Sequence, residues 1–114
     1  MIPGEIRLVW FPFSWREQQP YKKRPVLILA ATGTTPDRAI LVAMITSTTQ
    51  RLRRQGPGDV VVTDWQRAGL KVPSVVRTRR LWTAEERDFT GQRLGAVSTS
   101  VLDDVLAHVR ALIS

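Results

Sequence analysis

Apolar positions along this chain follow the alternation and short runs of β-strands, and they predict a mainly β protein. Residues 5–11 (EIRLVWF) alternate imperfectly and carry β-branched and aromatic side chains, which predicts a first strand. Two stretches, 25–31 (PVLILAA) and 39–46 (AILVAMIT), are apolar at successive positions, as in central strands covered on both faces. Because turn-forming residues at 32–38 (TGTTPDR) separate these stretches, the two strands are predicted to form an antiparallel hairpin.

The predicted hairpin has a register that can be read from its turn. If the turn centres on Thr35, residues equally distant from Thr35 on either side face each other across the ladder. Arg24 then lies opposite Thr46 at the open end of the hairpin, with both side chains on one face. A slip of one residue would separate them, because side chains alternate between the two faces of a strand.

Shorter apolar stretches predict further elements downstream. Residues 60–62 (VVV) and 74–82 (SVVRTRRLW) carry strand-forming side chains. The intervening TDWQRAGL predicts a helix of one to two turns, with Thr63 as its N-cap and Gly69 as its end.

Polar stretches between these elements predict loops. Residues 12–23 (PFSWREQQPYKK) form a charged loop longer than most connections, and long ordered loops often carry function. Residues 47–59 predict a second, basic loop that contains Gly and Pro. Residues 83–95 predict a turn or short helical segment followed by irregular chain.

The last segment predicts an amphipathic helix that begins after Ser98, a good N-cap residue. Asp103 and Asp104 are placed in its first turns and Arg110 near its end, which suits the helix dipole. The apolar side chains repeat every 3.6 residues on one stripe: Val101, Leu102, Val105, Leu106, Val109, Leu112 and Ile113. The expected fold is therefore a single domain over residues 1–114, an antiparallel sheet or small barrel with a C-terminal helix.

Composition adds an electrostatic signal to this fold. The chain has 114 residues, of which 43% are hydrophobic, enough for one domain with a real core. Lys and Arg number 17 against 10 acids, for a net charge of +7, which favours a nucleic acid or another polyanion as partner. A proteome generally rich in Arg would raise the same count. The absence of Cys, of a signal-peptide pattern and of a membrane-spanning apolar run predicts a cytoplasmic protein.

The available side chains exclude several chemistries. One His, at position 108, rules out a two-histidine acid–base pair within the chain, and with no Cys the usual ligand set of a zinc site is incomplete. Phosphate-loop, nucleophile-elbow and dinucleotide-binding motifs are missing from the sequence, so we expect no metal and no cofactor. The remaining Arg, Lys, Thr and isolated acids suit cleavage of RNA, which carries its own nucleophile in the 2′-hydroxyl. Glu17 is the best candidate for the base.

Five segments, taken in order, resemble the MazF/PemK/Kid toxins of bacterial toxin–antitoxin systems: GEIRLVWFPF (4–13), EQQPYKKRPVLIL (17–29), AMITS (43–47), AGL and SVVR within 68–77, and LGAVSTSVLDDVLAHVRALI (94–113). The resemblance implies a small SH3-like antiparallel β-barrel with a terminal helix, the CcdB/PemK-like fold, assembled as a homodimer. It also implies an endoribonuclease that cuts mRNA to 2′,3′-cyclic phosphate and 5′-hydroxyl ends, with RNA and a cognate antitoxin as partners.

The resemblance also implies roles for single residues. Arg24 and Thr46 match the family's catalytic Arg and Thr, and Glu17 matches the acid of its Glu-Gln pair. Two positions depart from the Kid-like pattern. Arg79 stands where an Arg-x-Asp-Gln segment has its Asp, although Arg77 is kept, and Arg16 stands where Kid-like members have His.

Several further side chains are expected to bind RNA. They are basic, hydroxyl-bearing or aromatic and lie near the predicted catalytic residues or in the basic loops: Trp15, Arg16, Lys22, Lys23, Ser47, Arg51, Arg53, Arg54, Arg77 and Arg79. Without the resemblance, a solvated strand entrance is the preferred interpretation of Lys22, Lys23 and Arg24. Solubilising charge is the alternative for Arg51, Arg53 and Arg54. Two other functions fit the fold: a CcdB-like non-enzymatic gyrase poison, and a nucleic-acid-binding β-barrel without catalysis.

Overall fold

Antiparallel strands are the main element of the protein. The computed structural model describes residues 1–11, 22–34, 38–47 and 56–114, with only the backbone of Phe11 and Lys22. The elements are β1 (Glu5–Phe11), β2 (Lys22–Thr32), β3 (Ala39–Ser47), β4 (Asp59–Val61), β5 (Ser74–Ala84), a 3₁₀ turn (Glu86–Asp88), β6 (Phe89–Ala96) and helix α1 (Thr99–Ile113). Within these residues the six strands form one sheet in the order β4–β5–β3–β2–β1–β6. The predicted mainly β fold with a C-terminal helix is confirmed, although β4 and β6 are open edges in the described sheet and do not close it into a barrel.

The β2–β3 hairpin has the predicted register at its open end. Val26 pairs with Met44, and Ile28 pairs with Val42. After Ile28 an irregularity shifts the pairing by one residue, so this shift lies at the turn end and leaves the open end in register. Continued by two residues beyond Val26, the register places Arg24 opposite Thr46.

The two faces of the sheet are covered by two hydrophobic clusters. One face buries Ile6, Leu27 and Ile45 and packs against α1 through Val101 and Val105. The other face buries Val9, Val26, Ile28, Ile40 and Val42, with partly buried Trp82 and Phe89 packed against them. Both central strands therefore bury even and odd positions, which explains their continuous apolar runs.

Helix α1 begins as predicted, because the Ser98 hydroxyl accepts a hydrogen bond from the Val101 amide at 3.2 Å. The apolar stripe is covered only over its first turns, and Leu112 and Ile113 are 47% and 84% exposed. Asp103 and Asp104 lie just past the first turn, which itself contains no acid.

Two predicted elements are wrong. Residues 63–70 form consecutive turns instead of a helix. Their hydrogen bonds span different intervals: Ala68 N donates to Asp64 O, four residues earlier, whereas Leu70 N donates to Trp65 O, five residues earlier. Residues Phe89–Ala96 form a strand instead of irregular chain. That strand lies at the sheet edge and is mostly exposed, so it lacks hydrophobic alternation and is held by its backbone pairing with β1.

The predicted loops need a smaller correction. Lys22 and Lys23 belong to β2, because they pair with Phe11 and Trp10 of β1, and Ser47 is the last residue of β3. The central parts of both loops, 12–21 and 48–55, lie outside the described residues.

Candidate functional site

A cavity of about 430 Å³ lies at the open end of the β2–β3 hairpin. Its polar lining consists of three cations and three hydroxyl-bearing residues: Lys23, Arg24, Lys71, Thr46, Ser47 and Ser74. Its apolar lining comprises Leu8, Pro25, Ile45, Leu70, Val72 and Leu94, with Gly69 between the turn residues. Because no acid is among the lining residues that the structure describes, this part of the cavity combines positive charge with an apolar wall and suits an anionic organic ligand.

Four of the predicted site residues meet in this cavity. Arg24 and Thr46 are half-buried, and their neighbours Lys23 and Ser47 complete the polar edge. The Lys23 Nζ atom lies 5.1 Å from the centre of the Trp10 ring, which is a cation–π distance. The sequence prediction that Arg24 and Thr46 lie together is therefore matched by the geometry.

Alternation along the strands separates these residues by face. Lys23 stands opposite Trp10 and shares the face of the first core cluster, whereas Arg24 stands opposite Val9 and shares the face of the second. Thr46 lies on the same face as Arg24, since it is two residues beyond Met44. The lining residues of the cavity therefore come from strand positions on both faces of the sheet.

Arg77 lies beside this pair without lining the cavity. In the β3–β5 ladder, Thr46 pairs with Val75, and Arg77 pairs with Met44. Arg77 is thus the diagonal neighbour of Thr46 on the same face, a relation that typically separates residues by about 7–8 Å. Asp59 of β4 stands directly opposite Arg77.

Arg79 is placed differently, in the irregular stretch where the β3–β5 pairing jumps from Met44–Arg77 to Ala43–Leu81. Thr78 holds this stretch, because its hydroxyl donates to Gly58 O at 2.6 Å while Arg79 remains exposed. Arg79 is therefore not among the cavity residues.

Six predicted residues cannot be placed: Trp15, Arg16, Glu17, Arg51, Arg53 and Arg54 lie outside the described residues. Of Lys22 only the strand position at the start of β2 is described.

Sequence reasoning missed the opposite wall of the cavity. That wall comes from the turn segment Gly69–Val72 and from Leu94 of β6, with Lys71 as an additional cation. Ser74 was missed as well, although it pairs with Ser47 once β3 and β5 are adjacent. The only local signal was a lysine between a predicted helix end and a strand, and such a position does not indicate a site.

Glu5 is the acid whose ionisation the structure perturbs most clearly. Its side chain is 6% exposed, accepts a hydrogen bond from the Ile2 amide at 2.6 Å and lies 3.5 Å from Arg7. Burial alone would raise the pKa of Glu5, but the Ile2 hydrogen bond and the neighbouring positive charges outweigh burial and hold that pKa below its usual value. Glu5 also reaches Arg93 of β6 at 3.8 Å, so this carboxylate joins strands and is not a free base.

Two general features of the described residues bear on the type of site. No group of three or more His, Cys, Asp or Glu side chains comes together there to hold a metal ion. None of the helices in that part of the chain is long and apolar enough to cross a membrane.

The fold and the cavity define a small basic β protein with a cavity lined by cations. Comparison with models of protein families identifies it further: residues 2–113 match the PemK-like, MazF-like toxins of type II toxin–antitoxin systems. The chain belongs to this family, so the resemblance found in the ordered sequence motifs is confirmed.

Solved structures agree with this assignment of fold. The MazE–MazF crystal structure from Deinococcus radiodurans contains a similar chain, which is 21% identical to this one and has a TM-score of 0.70. The match covers 98% of this chain and 93% of that chain. The toxin MazF-mt6 of Mycobacterium tuberculosis is 26% identical over 96% of this chain and 95% of its own, with a TM-score of 0.67. An endoribonuclease from a mycobacterial species, in complex with its cognate antitoxin, is 16% identical over 99% of this chain and 94% of its own, also with a TM-score of 0.67. Comparison with curated proteins gave no match.

Proposed function

We propose that this toxin-family protein is an endoribonuclease that cleaves single-stranded mRNA and thereby inhibits translation and growth. The observation that carries the proposal is the cationic cavity at the hairpin end, where Arg24 and Thr46 occur together. Family membership supports it, as does the fact that one structurally similar protein is an endoribonuclease. The net charge of +7 is a further argument for a polyanionic substrate.

The proposed reaction uses the nucleophile that RNA provides. The 2′-oxygen attacks the adjacent phosphorus, its proton passes to a base, the bond from phosphorus to the 5′-oxygen breaks, and the leaving oxygen takes up a proton. The products are a 2′,3′-cyclic phosphate and a 5′-hydroxyl, and no co-reactant is consumed.

Each proposed catalytic residue has a role suited to its chemistry. Arg24 neutralises the charge that develops on the phosphate oxygens, because a guanidinium group offers several N–H donors in a fork that matches them. The Thr46 hydroxyl donates a hydrogen bond to one of those oxygens. Glu17 is proposed as the base from the sequence alone.

Other predicted residues keep their proposed roles in holding the RNA. Lys23 and Ser47 extend the cavity edge next to the catalytic pair, and Arg77 approaches Thr46 along the sheet. Arg79 is exposed beside the β5 irregularity, where it is available to the RNA backbone farther from the cavity.

The proposed partners follow from related proteins. A MazE–MazF complex and an endoribonuclease bound to its cognate antitoxin are both similar to this chain, and we infer a cognate antitoxin that blocks the RNA-binding face. We also infer a homodimer. Because mRNA is the proposed substrate, the cytoplasm is the proposed place of action.

Incubation of the purified protein with a long mixed-sequence RNA in EDTA tests the activity. Mapped fragments should end in 2′,3′-cyclic phosphates and 5′-hydroxyls. Arg24→Ala and Thr46→Ala should each lower the cleavage rate, Arg24→Ala by about 10²–10³-fold, as for loss of a donor to transition-state charge. Arg80→Ala removes an exposed cation that does not line the cavity and is the matched control.

The two alternative functions give different results with the same purified protein and RNA. RNA that stays intact while gyrase supercoiling is inhibited would replace the proposal with a gyrase poison. RNA that is retarded on a gel but never cut would replace it with a non-catalytic RNA-binding protein. Thermal melting of each variant shows whether a lost activity reflects lost folding.

A further inference from the structure

Lys71 lines the same cavity as Arg24 and Thr46 but comes from a different segment of the chain. It belongs to the turn segment that precedes β5, and it is exposed at the cavity lining. The other two cations among the described lining residues, Lys23 and Arg24, come from β2, so the cavity receives positive charge from two separate parts of the chain. No acid is among the lining residues that the structure describes.

The turn that carries Lys71 is held rigidly against β6. A Cβ atom added at Gly69 would lie 2.1 Å from Leu94 O, and one added at Gly95 would lie 2.3 Å from Ala68 O. The two backbones therefore touch at a separation that only glycines permit. Gly69 also has φ +85°, a left-handed conformation that ends the turn and directs the chain toward Lys71.

Hydrogen bonds inside the turn add to this rigidity. Ala68 N donates to Asp64 O at 3.0 Å, and Leu70 N donates to Trp65 O at 2.9 Å. Leu70 packs on the core from inside this turn while Lys71 follows at the surface. A cation on a fixed backbone loses less conformational entropy on binding than one on a loose loop.

We propose that Lys71 is an RNA-binding residue of this cavity and contacts a phosphate of the bound strand from the side opposite β2. This proposal rests on the endoribonuclease function proposed above and adds a residue to its site. The apolar residues beside Lys71, Leu70 and Val72, form the surface against which the sugar and base of the same nucleotide pack. In this role Lys71 contributes to RNA binding and takes no part in proton transfer.

Binding of a non-cleavable RNA tests this role directly. The probe is an oligonucleotide of the mapped cleavage sequence with a 2′-deoxy group at the cut site, and Kd is measured across a range of salt concentrations. Lys71→Ala should weaken binding by about five- to tenfold and reduce the slope of log Kd against log salt by about 0.7, the value for one phosphate contact on a single strand.

Arg67→Ala is the matched control, because Arg67 is an exposed cation of the same turn that does not line the cavity. It should leave both the affinity and the salt slope near those of the wild type. Lys71→Arg should restore the slope, because it keeps the charge. Equal melting temperatures show that the variants are folded.

The possible results separate the two proposals. If the wild type cuts RNA while Lys71→Ala and Arg67→Ala give the same affinity and slope, the role of Lys71 is refuted and the endoribonuclease stands. Weaker binding with an unchanged salt slope would also refute a phosphate contact. If the wild type neither cuts nor binds RNA, the proposed function itself fails.

Discussion

Replacement of Glu5 by Gln should destabilise the fold through loss of a buried charge. The substitution keeps the shape and leaves an oxygen that can still accept the 2.6 Å hydrogen bond from the Ile2 amide. It removes the negative charge that faces Arg7 at 3.5 Å, where the Arg7 side chain is 20% exposed. The 3.8 Å contact with Arg93 adds little, because that side chain is 57% exposed.

The size of the loss follows from these contacts. A hydrogen bond to a charged acceptor is worth about 1 kcal/mol more than a neutral one. The largely buried pair with Arg7 adds a comparable amount, because Glu5 has little access to water. The free energy of unfolding at pH 7 should therefore fall by about 2 kcal/mol, which corresponds to roughly 8 °C in Tm for a domain of this size.

Urea unfolding at several pH values measures this effect. Because the folded-state pKa of Glu5 lies below its usual value, its stabilisation is complete above the unfolded pKa of about 4.3 and is lost as pH falls through the lower folded pKa. The gap between wild type and Glu5→Gln should thus be constant from pH 7 to 5 and close in more acidic solution.

Glu85→Gln is the matched control, since Glu85 has a shorter contact with Arg87, 2.8 Å, but is 61% exposed. Its substitution should change stability by less than about 0.5 kcal/mol. An equal loss in the two variants would refute the argument that burial, and not distance, decides the value of the pair. A gap that stays the same at pH 3 would refute the assignment to the Glu5 charge.

Two further substitutions test packing and capping. Gly95→Ala should destabilise the fold by more than about 1 kcal/mol and weaken RNA binding, because its Cβ would lie 2.3 Å from Ala68 O and push the turn that carries Lys71 off β6. Urea unfolding measures the stability, and RNA affinity measures the binding. Unchanged values would contradict the close approach of the two backbones. Ser98→Ala should cost about 1 kcal/mol, because it removes the hydroxyl that accepts from Val101 N, while Ser98→Asp should retain stability; denaturation midpoints compare the three proteins.

The predictable part of this fold was local in sequence. The strand over residues 5–11 has the same bounds in the structure, and the N-cap at Ser98 was visible from residues within one turn. The register of the β2–β3 hairpin was also accessible, because a short connection ties the two strands together. Placement of Arg24 near Thr46 followed from that register.

The missed parts depend on contacts between distant segments. Strand β6 has polar and glycine residues and gains its structure from pairing with β1, whose paired residues lie 80 to 91 positions earlier in the chain. The helix predicted over 63–70 is wrong because Thr63 and Gly69 are typical of helix ends, while the close packing of Gly69 on Leu94 imposes turns. Local propensity is a weak signal where tertiary contacts compete with it.

By itself, the sequence determined the central strands, the terminal helix, the positive charge and the ordered motifs of the toxin family, because each is expressed in residue spacing along the chain. Only the tertiary structure decided that Lys71 and Leu94 line the same cavity as Arg24 and Thr46. It also decided that Glu5 is a buried ion-pair partner and that the end of the helix stripe at Leu112 stays exposed. These outcomes depend on which segments, distant in sequence, pack together, and the periodicity of side chains along the chain does not determine that packing.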